Sequence, residues 1–121
     1  MSRLEKIAAQ IRREVAEVLL RDIRDERIGF MSLTTVEVSK DLRYATIYYS
    51  QLGSDAQKKQ TARALNYAAP YIRNKIKKHF YMKSMPELRF QFDESVERGS
   101  RIVGKLNRLF TDEPPSDPDN V

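Results

Sequence analysis

The stretch "MSLTTVEVSKDLRYATIYYSQLGSDAQ", residues 31–57, carries the first decision about the fold. Its opening nine residues are rich in β-branched side chains and end in polar turn formers, which predicts a strand over 31–38. The apolar alternation changes phase between Leu33 and Val36, the signature of a bulge or an end effect. "SKDLR" follows as a turn, with Asp41 placed to accept nearby backbone N–H groups. A second strand over 43–51 alternates Ala45, Ile47 and Tyr49 on one face with Tyr44, Thr46, Tyr48 and Ser50 on the other. Two adjacent strands joined by a short turn make an antiparallel hairpin. "LGSDAQ" then switches the period, because Ser54 and Gln57 stand at capping-box spacing and open a helix.

Working outward, residues 3–21 place Leu4, Ile7, Ile11, Val15, Val18 and Leu19 at three- and four-residue spacing behind Ser2, a suitable N-cap. This predicts an amphipathic helix, with Arg12 and Arg13 off its apolar face. "RDIRDERIGFMS" is a polar connector. After the hairpin, a helix is expected over 55–68, burying Ala56, Ala62, Leu65 and Ala69. A second is expected over 70–81, burying Ile72, Ile76 and Phe80. Pro70 stands between them. A proline inside a helix costs about 3 kcal/mol, whereas at a first helical position it costs little, so two helices meeting at an angle are predicted. Leu88, Phe90 and Phe92 alternate with Arg89 and Gln91 in a strand at 87–92, and Asp93 or Ser95 caps a last helix to about residue 110.

The expected fold class is therefore α+β, in the order α-β-β-α-α-β with a C-terminal helix. A three-stranded sheet carries helices on one face, a type II K-homology-like arrangement. Residues 1–110 form one domain. Residues 111–121 hold four acids and three prolines and are expected to stay disordered.

Charge narrows the function. The chain of 121 residues carries 22 Lys and Arg against 17 Asp and Glu, but the tail holds four of those acids, leaving 22 against 13 elsewhere. Residues 56–86 contain eight bases (Lys58, Lys59, Arg63, Arg73, Lys75, Lys77, Lys78 and Lys83) and no acid. Such clustering is the electrostatic footprint of a polyanion binder, although a solvated face would also show it. Cysteine is absent, which removes disulfides, thiolate metal sites and cysteine nucleophiles. His79 has no second histidine to pair with. Asp25, Glu26, Glu37 and Asp41 lie on a connector, a strand and a turn with no recognised metal-binding motif. Neither a cofactor nor a metal is expected, and enzymatic activity is not. The N-terminus lacks a signal-peptide core and no apolar run suits a membrane span, so a cytoplasmic protein is expected.

Two blocks carry a family resemblance. "RIGFMSLTTVEVSKDLRYATIYYSQLG", residues 27–53, resembles the hairpin of ribosome-binding factor A, with its V-E-V-S-x-D-L turn and following A-x-V/I-Y strand. "YIRNKIKKHFYMKSMPELRFQFDES", residues 71–95, resembles that family's I-R segment, basic run, P-E-L-x-F strand and D-x-S end. The resemblance spans about residues 3–110. It implies a non-enzymatic bacterial assembly factor that binds the immature 30S subunit and its 16S rRNA. Such a factor aids maturation near the 5′ end and supports growth in the cold. It also implies a monomer with no membrane and no small-molecule substrate. The alternative is a general basic RNA- or DNA-binding protein without subunit specificity.

The family's Ala-x-Gly helix kink falls here on Ala68, Ala69 and Pro70. Proline cannot donate an N–H or adopt glycine's backbone angles, so binding is expected from side chains. Arg73, Lys75, Lys77, Lys78 and Lys83 are the first candidates for phosphate contact. Lys58, Lys59 and Arg63 on the preceding helix are the next, followed by Lys40 and Arg43 on the hairpin turn, with Arg12 and Arg13 peripheral. Tyr44 and Tyr48 share a strand face where base stacking and cross-strand packing both remain open.

Overall fold

The computed structural model describes residues 2–23 and 31–95. Helix α1 spans Arg3–Arg21, and Ser2 caps it by accepting the Glu5 N–H at 3.1 Å. Such a cap contributes about 1 kcal/mol. Its buried stripe centres on Ile11 and Val15, with Ile7, Val18 and Leu19 packed beside them.

Strands β1 (Met31–Val38) and β2 (Tyr44–Gln51) pair antiparallel, with a register shift between Leu33 and Val36 where the alternation changed phase. Ser39 and Asp41 build the turn. The Ser39 hydroxyl donates to Asp41 Oδ1 at 2.7 Å and accepts from the Arg43 and Tyr44 N–H groups, while Asp41 Oδ1 also accepts from the Arg43 N–H at 3.1 Å. The Ser39 hydroxyl and then the Arg43 N–H, both bonded to the carboxylate, followed by the nearby Arg43 guanidinium, hold the Asp41 carboxyl below its ordinary range.

Strand β3 (Glu87–Phe92) runs parallel to β2, so β2 is central in the order β1-β2-β3. A parallel partner requires a crossover, and helix α2 (Asp55–Ile76) supplies it. β2 buries Ala45, Ile47, Tyr49 and Gln51. With Val36, Leu88 and Phe90 its apolar residues form a core against Ile11 and Val15 of α1 and Leu65, Ala68, Ala69, Ile72 and Ile76 of α2. Both helices cover one face of the mixed sheet, and the α+β, K-homology-like fold class holds. Asp93 Oδ1 accepts the Ser95 N–H at 3.0 Å, a cap-type bond. The expected helix to residue 110 and the tail lie outside the described residues.

Two expectations are corrected. The helices predicted over 55–68 and 70–81 are one helix, α2, which passes through Pro70 and gives way to a 3₁₀ turn at Lys77–His79. The reason lies in the phase of the stripe. Thr61, Ala64, Leu65, Ala68, Ala69, Ile72 and Ile76 are all buried at three- and four-residue spacing, so both halves face the same core. Pro70 and Asn66 are exposed, leaving water free to reach the Asn66 carbonyl that proline cannot bond. The expected burial of Ala56 and Ala62 is also wrong. Ala56 is exposed and Ala62 half-buried, and Thr61 and Ala64 take those inward places. Phe80 lies past the helix, half-buried at the edge of the core.

Candidate nucleic-acid interface

The basic segment divides into cations with intramolecular partners and cations without. Arg73 is half-buried: Nε donates to the Met85 and Pro86 carbonyls at 3.2 and 3.1 Å, and Nη2 donates to the Met85 carbonyl at 2.6 Å. Lys75 approaches Asp22 at 3.7 Å and sits 5.9 Å from the Tyr71 ring centroid. The Lys58 ammonium lies 5.0 Å from the Phe92 ring centroid. Arg43 reaches Asp41 at 3.7 Å in an exposed pair, and Arg12 donates to the Leu33 carbonyl at 3.2 Å.

The side chains of Lys77, Lys78 and Lys83 are exposed and make no hydrogen bond or ion pair among the described residues; those of Lys59, Arg63, Lys40 and Arg13 are the same. The turn carrying Lys77 and Lys78 is fastened to α1. His79 Nδ1 contacts the Glu14 carboxylate, while Gln10 Nε2 donates to the His79 carbonyl at 3.1 Å and to Glu14 Oε2 at 2.9 Å. Two lysines are thus presented to solvent from a turn whose His79 end is tied to α1.

Beside Pro70, the hairpin turn, α2 and residues 81–89 enclose an open groove of about 900 Å³. Arg3, Arg43, Arg73, Lys83 and Arg89 line it, against only two acids, Asp41 and Glu87. The geometry therefore brings together Arg43, Arg73 and Lys83, which lie far apart in sequence. Lys58 is turned instead toward β3, and Lys59 and Arg63 stand on the solvent face of α2. Arg3 and Arg89 were not foreseen. Arg89 had a signal, since it alternates with the buried Leu88 and Phe90; Arg3 had none, because only tertiary packing brings the start of α1 to the groove.

Tyr44 and Tyr48 each have a partner within the fold. The Arg89 guanidinium lies 3.7 Å from the Tyr44 ring centroid and covers one of its faces. The Tyr48 hydroxyl contacts Glu37 at 3.5 Å, and desolvation first, then Glu37, raises its pKa. Among the described residues the most exposed aromatics are Tyr67 at 83% and Tyr81 at 103%, with Tyr71 at 46%. Among the described residues no group of three or more His, Asp or Glu side chains could hold a metal ion, and no helix is long and apolar enough to cross a membrane.

The profile of the ribosome-binding factor A family matches residues 3–106. The chain belongs to the ribosome-binding factor A family. A ribosome-binding factor A from Dictyoglomus thermophilum is 45% identical over 108 residues, covering 88% of this chain and 90% of that one. The crystal structure of ribosome-binding factor A from Thermus thermophilus has a TM-score of 0.65 at 22% identity, over 74% of this chain and 93% of that one. A homology model of the Thermus thermophilus protein, fitted into an electron cryo-microscopy map of its complex with 30S, has a TM-score of 0.60 at 23% identity. It covers 78% of this chain and 97% of that one. At these identities the two Thermus likenesses carry the fold alone. Where the resemblance to ribosome-binding factor A placed a helix kink, this chain has Ala68 and Ala69 buried and Pro70 exposed within one helix.

Proposed function

We propose that this chain binds the small ribosomal subunit through its RNA, as a non-catalytic assembly factor. It acts on the immature 30S particle and assists maturation of the 16S rRNA precursor near its 5′ end, including during growth in the cold. It works as a cytoplasmic monomer. One observation carries this reading: residues 56–86 hold eight cations and no acid, and Lys77, Lys78 and Lys83 stand exposed without an acidic partner among the described residues. The membership of the family, named for ribosome binding, and the 30S complex of the Thermus protein support the choice of polyanion.

Lys75, Lys77, Lys78 and Lys83 supply the main phosphate contacts as point charges. Lys59, Arg63, Lys40 and Arg43 extend the same field. Arg73 contributes mostly by holding the start of β3, because its donors are already engaged.

The test is co-sedimentation with purified small subunits at increasing salt. Binding should weaken steeply, with each lysine removed reducing the log–log salt slope by roughly 0.7–0.9. Changing Lys75, Lys77, Lys78 and Lys83 to Glu should abolish association while the circular dichroism spectrum stays unchanged. Retention of binding by that variant at physiological salt would reject the site. Equal competition by random RNA would reject subunit specificity.

A further inference from the structure

We infer that the solvent face of α2 is a base-stacking platform for unpaired RNA, with Tyr67 and Tyr71 as the stacking rings. This deepens the proposed function and rests on it for the choice of RNA. Arg63, Tyr67, Tyr71 and Asn74 follow one another at four-, four- and three-residue spacing, so they share a helix face. All four are exposed.

Tyr67 is 83% exposed and its side chain makes no hydrogen bond or ring contact among the described residues. Its ring contributes nothing to the core, which lies on the opposite side of the helix. Tyr71 is oriented in advance. Its hydroxyl donates to Asp22 Oδ2 at 3.3 Å and the Lys75 ammonium stands near its ring, yet 46% of the residue remains open. A ring already held in place loses little freedom when a base stacks on it. Neighbours at i and i+4 have Cβ atoms about 5–6 Å apart, close enough for two rings to serve successive bases of one strand.

Charge selects the occupant. A protein partner would also value exposed tyrosines, but this face has Arg63, Lys59, Lys77 and Lys78 around it and no acid anywhere in residues 56–86. Asp22, an acid at its edge, is paired with Lys75. Cations that follow a backbone, with aromatics between them that accept bases, are the working parts of a single-strand site. A duplex keeps its bases stacked on each other and offers these rings nothing.

The test uses the full chain with a short fluorescein-labelled oligouridine and with the same length of RNA closed in a duplex. Tyr67→Ala and Tyr71→Leu should each weaken oligouridine binding about tenfold, leaving the salt slope and duplex affinity unchanged. Tyr67→Phe should keep wild-type affinity, since the ring and not the hydroxyl stacks, and Tyr71→Phe should lose much less than Tyr71→Leu, only what the Asp22 bond contributes by holding the ring. Both positions are exposed, and thermal melts of the Ala and Leu variants guard against a folding artefact. Unchanged oligouridine affinity in the ring-deleted variants would overturn the inference, as would equal losses on oligouridine and duplex. Loss of a protein association with RNA binding intact would instead assign the face to a protein and also overturn it. Subunit binding that is salt-dependent but indifferent to both tyrosines would remove the platform and leave the proposed function standing. Ring-dependent oligouridine binding without subunit binding would do the reverse.

Discussion

Arg73 on α2 clasps the backbone carbonyl of Met85 through two donors, Nε at 3.2 Å and Nη2 at 2.6 Å. Met85 is buried and stands two residues before β3. The residue that sequence places first among phosphate ligands therefore fixes the entry of a strand into the sheet. Replacing it with Ala leaves buried acceptors without donors and should cost about 1.5–3 kcal/mol. Arg73→Lys should recover only part of this, because an ammonium cannot reproduce the planar fork. Chemical denaturation should show the loss for both variants, whereas Lys77→Gln and Lys78→Gln should leave the unfolding midpoint in place.

Gly53 adopts φ +143°, a region that side chains rarely occupy, and an added Cβ would lie 2.5 Å from Gln57 Oε1. That oxygen accepts the Ser54 N–H at 2.8 Å, and Ser54 Oγ accepts the Gln57 N–H in return. Gly53→Ala should strain the backbone and break this capping box together, lowering stability by about 1–3 kcal/mol. Thermal unfolding measures it, and Gln57→Ala in the Gly53→Ala background should add less than it does alone.

Inside the fold, Gln51 Nε2 donates to Thr61 Oγ1 at 2.7 Å, and the Thr61 hydroxyl donates to the Gln57 carbonyl at 3.1 Å. Gln51 Oε1 is buried without a hydrogen-bond partner among the described residues. Thr61→Val would strand the Gln51 amide completely and should destabilise the protein by about 1–3 kcal/mol. The double variant Gln51→Leu, Thr61→Val should be closer to wild type than Thr61→Val alone. A denaturation double-mutant cycle decides it.

Two groups shape the response to pH from opposite ends. Burial raises the pKa of Tyr49 above its unfolded value, so its contribution is complete below about pH 10. It is lost as pH rises through the folded pKa, and Tyr49→Phe should flatten that alkaline decline in stability. Asp41 has the contrary sign. Its lowered pKa, caused first by the Ser39 hydroxyl, gives a contribution present above the unfolded carboxylate pKa and lost as pH falls through the folded one. Asp41→Asn should loosen the hairpin turn at neutral pH and have no effect at strongly acid pH, as followed by amide exchange of Arg43.

Short-range chemistry was legible in the sequence. Ser2 as a cap, the Ser54–Gln57 box, the Asp41 turn, the irregularity between Leu33 and Val36 and the three strands all depend on residues a few positions apart. Their physics is complete before the chain folds. The basic block was equally plain, because charge needs no partner to be counted. Tertiary structure decided the rest. Pro70 marks a break by local rules, yet both halves of α2 bury one continuous stripe, and that shared burial offsets a lost backbone bond. Arg73 becomes a clasp because Met85 and Pro86, twelve and thirteen residues onward, arrive beneath it. Tyr44 is covered by Arg89 while Tyr67 stays bare, a distinction set by strand pairing and helix packing. Sequence alone determined the three strands, the caps and turns between elements, and that one segment is strongly cationic. Only the packed fold decided which cations and rings are spent on the protein itself and which remain for a ligand, because desolvation and pairing are properties of neighbours brought together by folding.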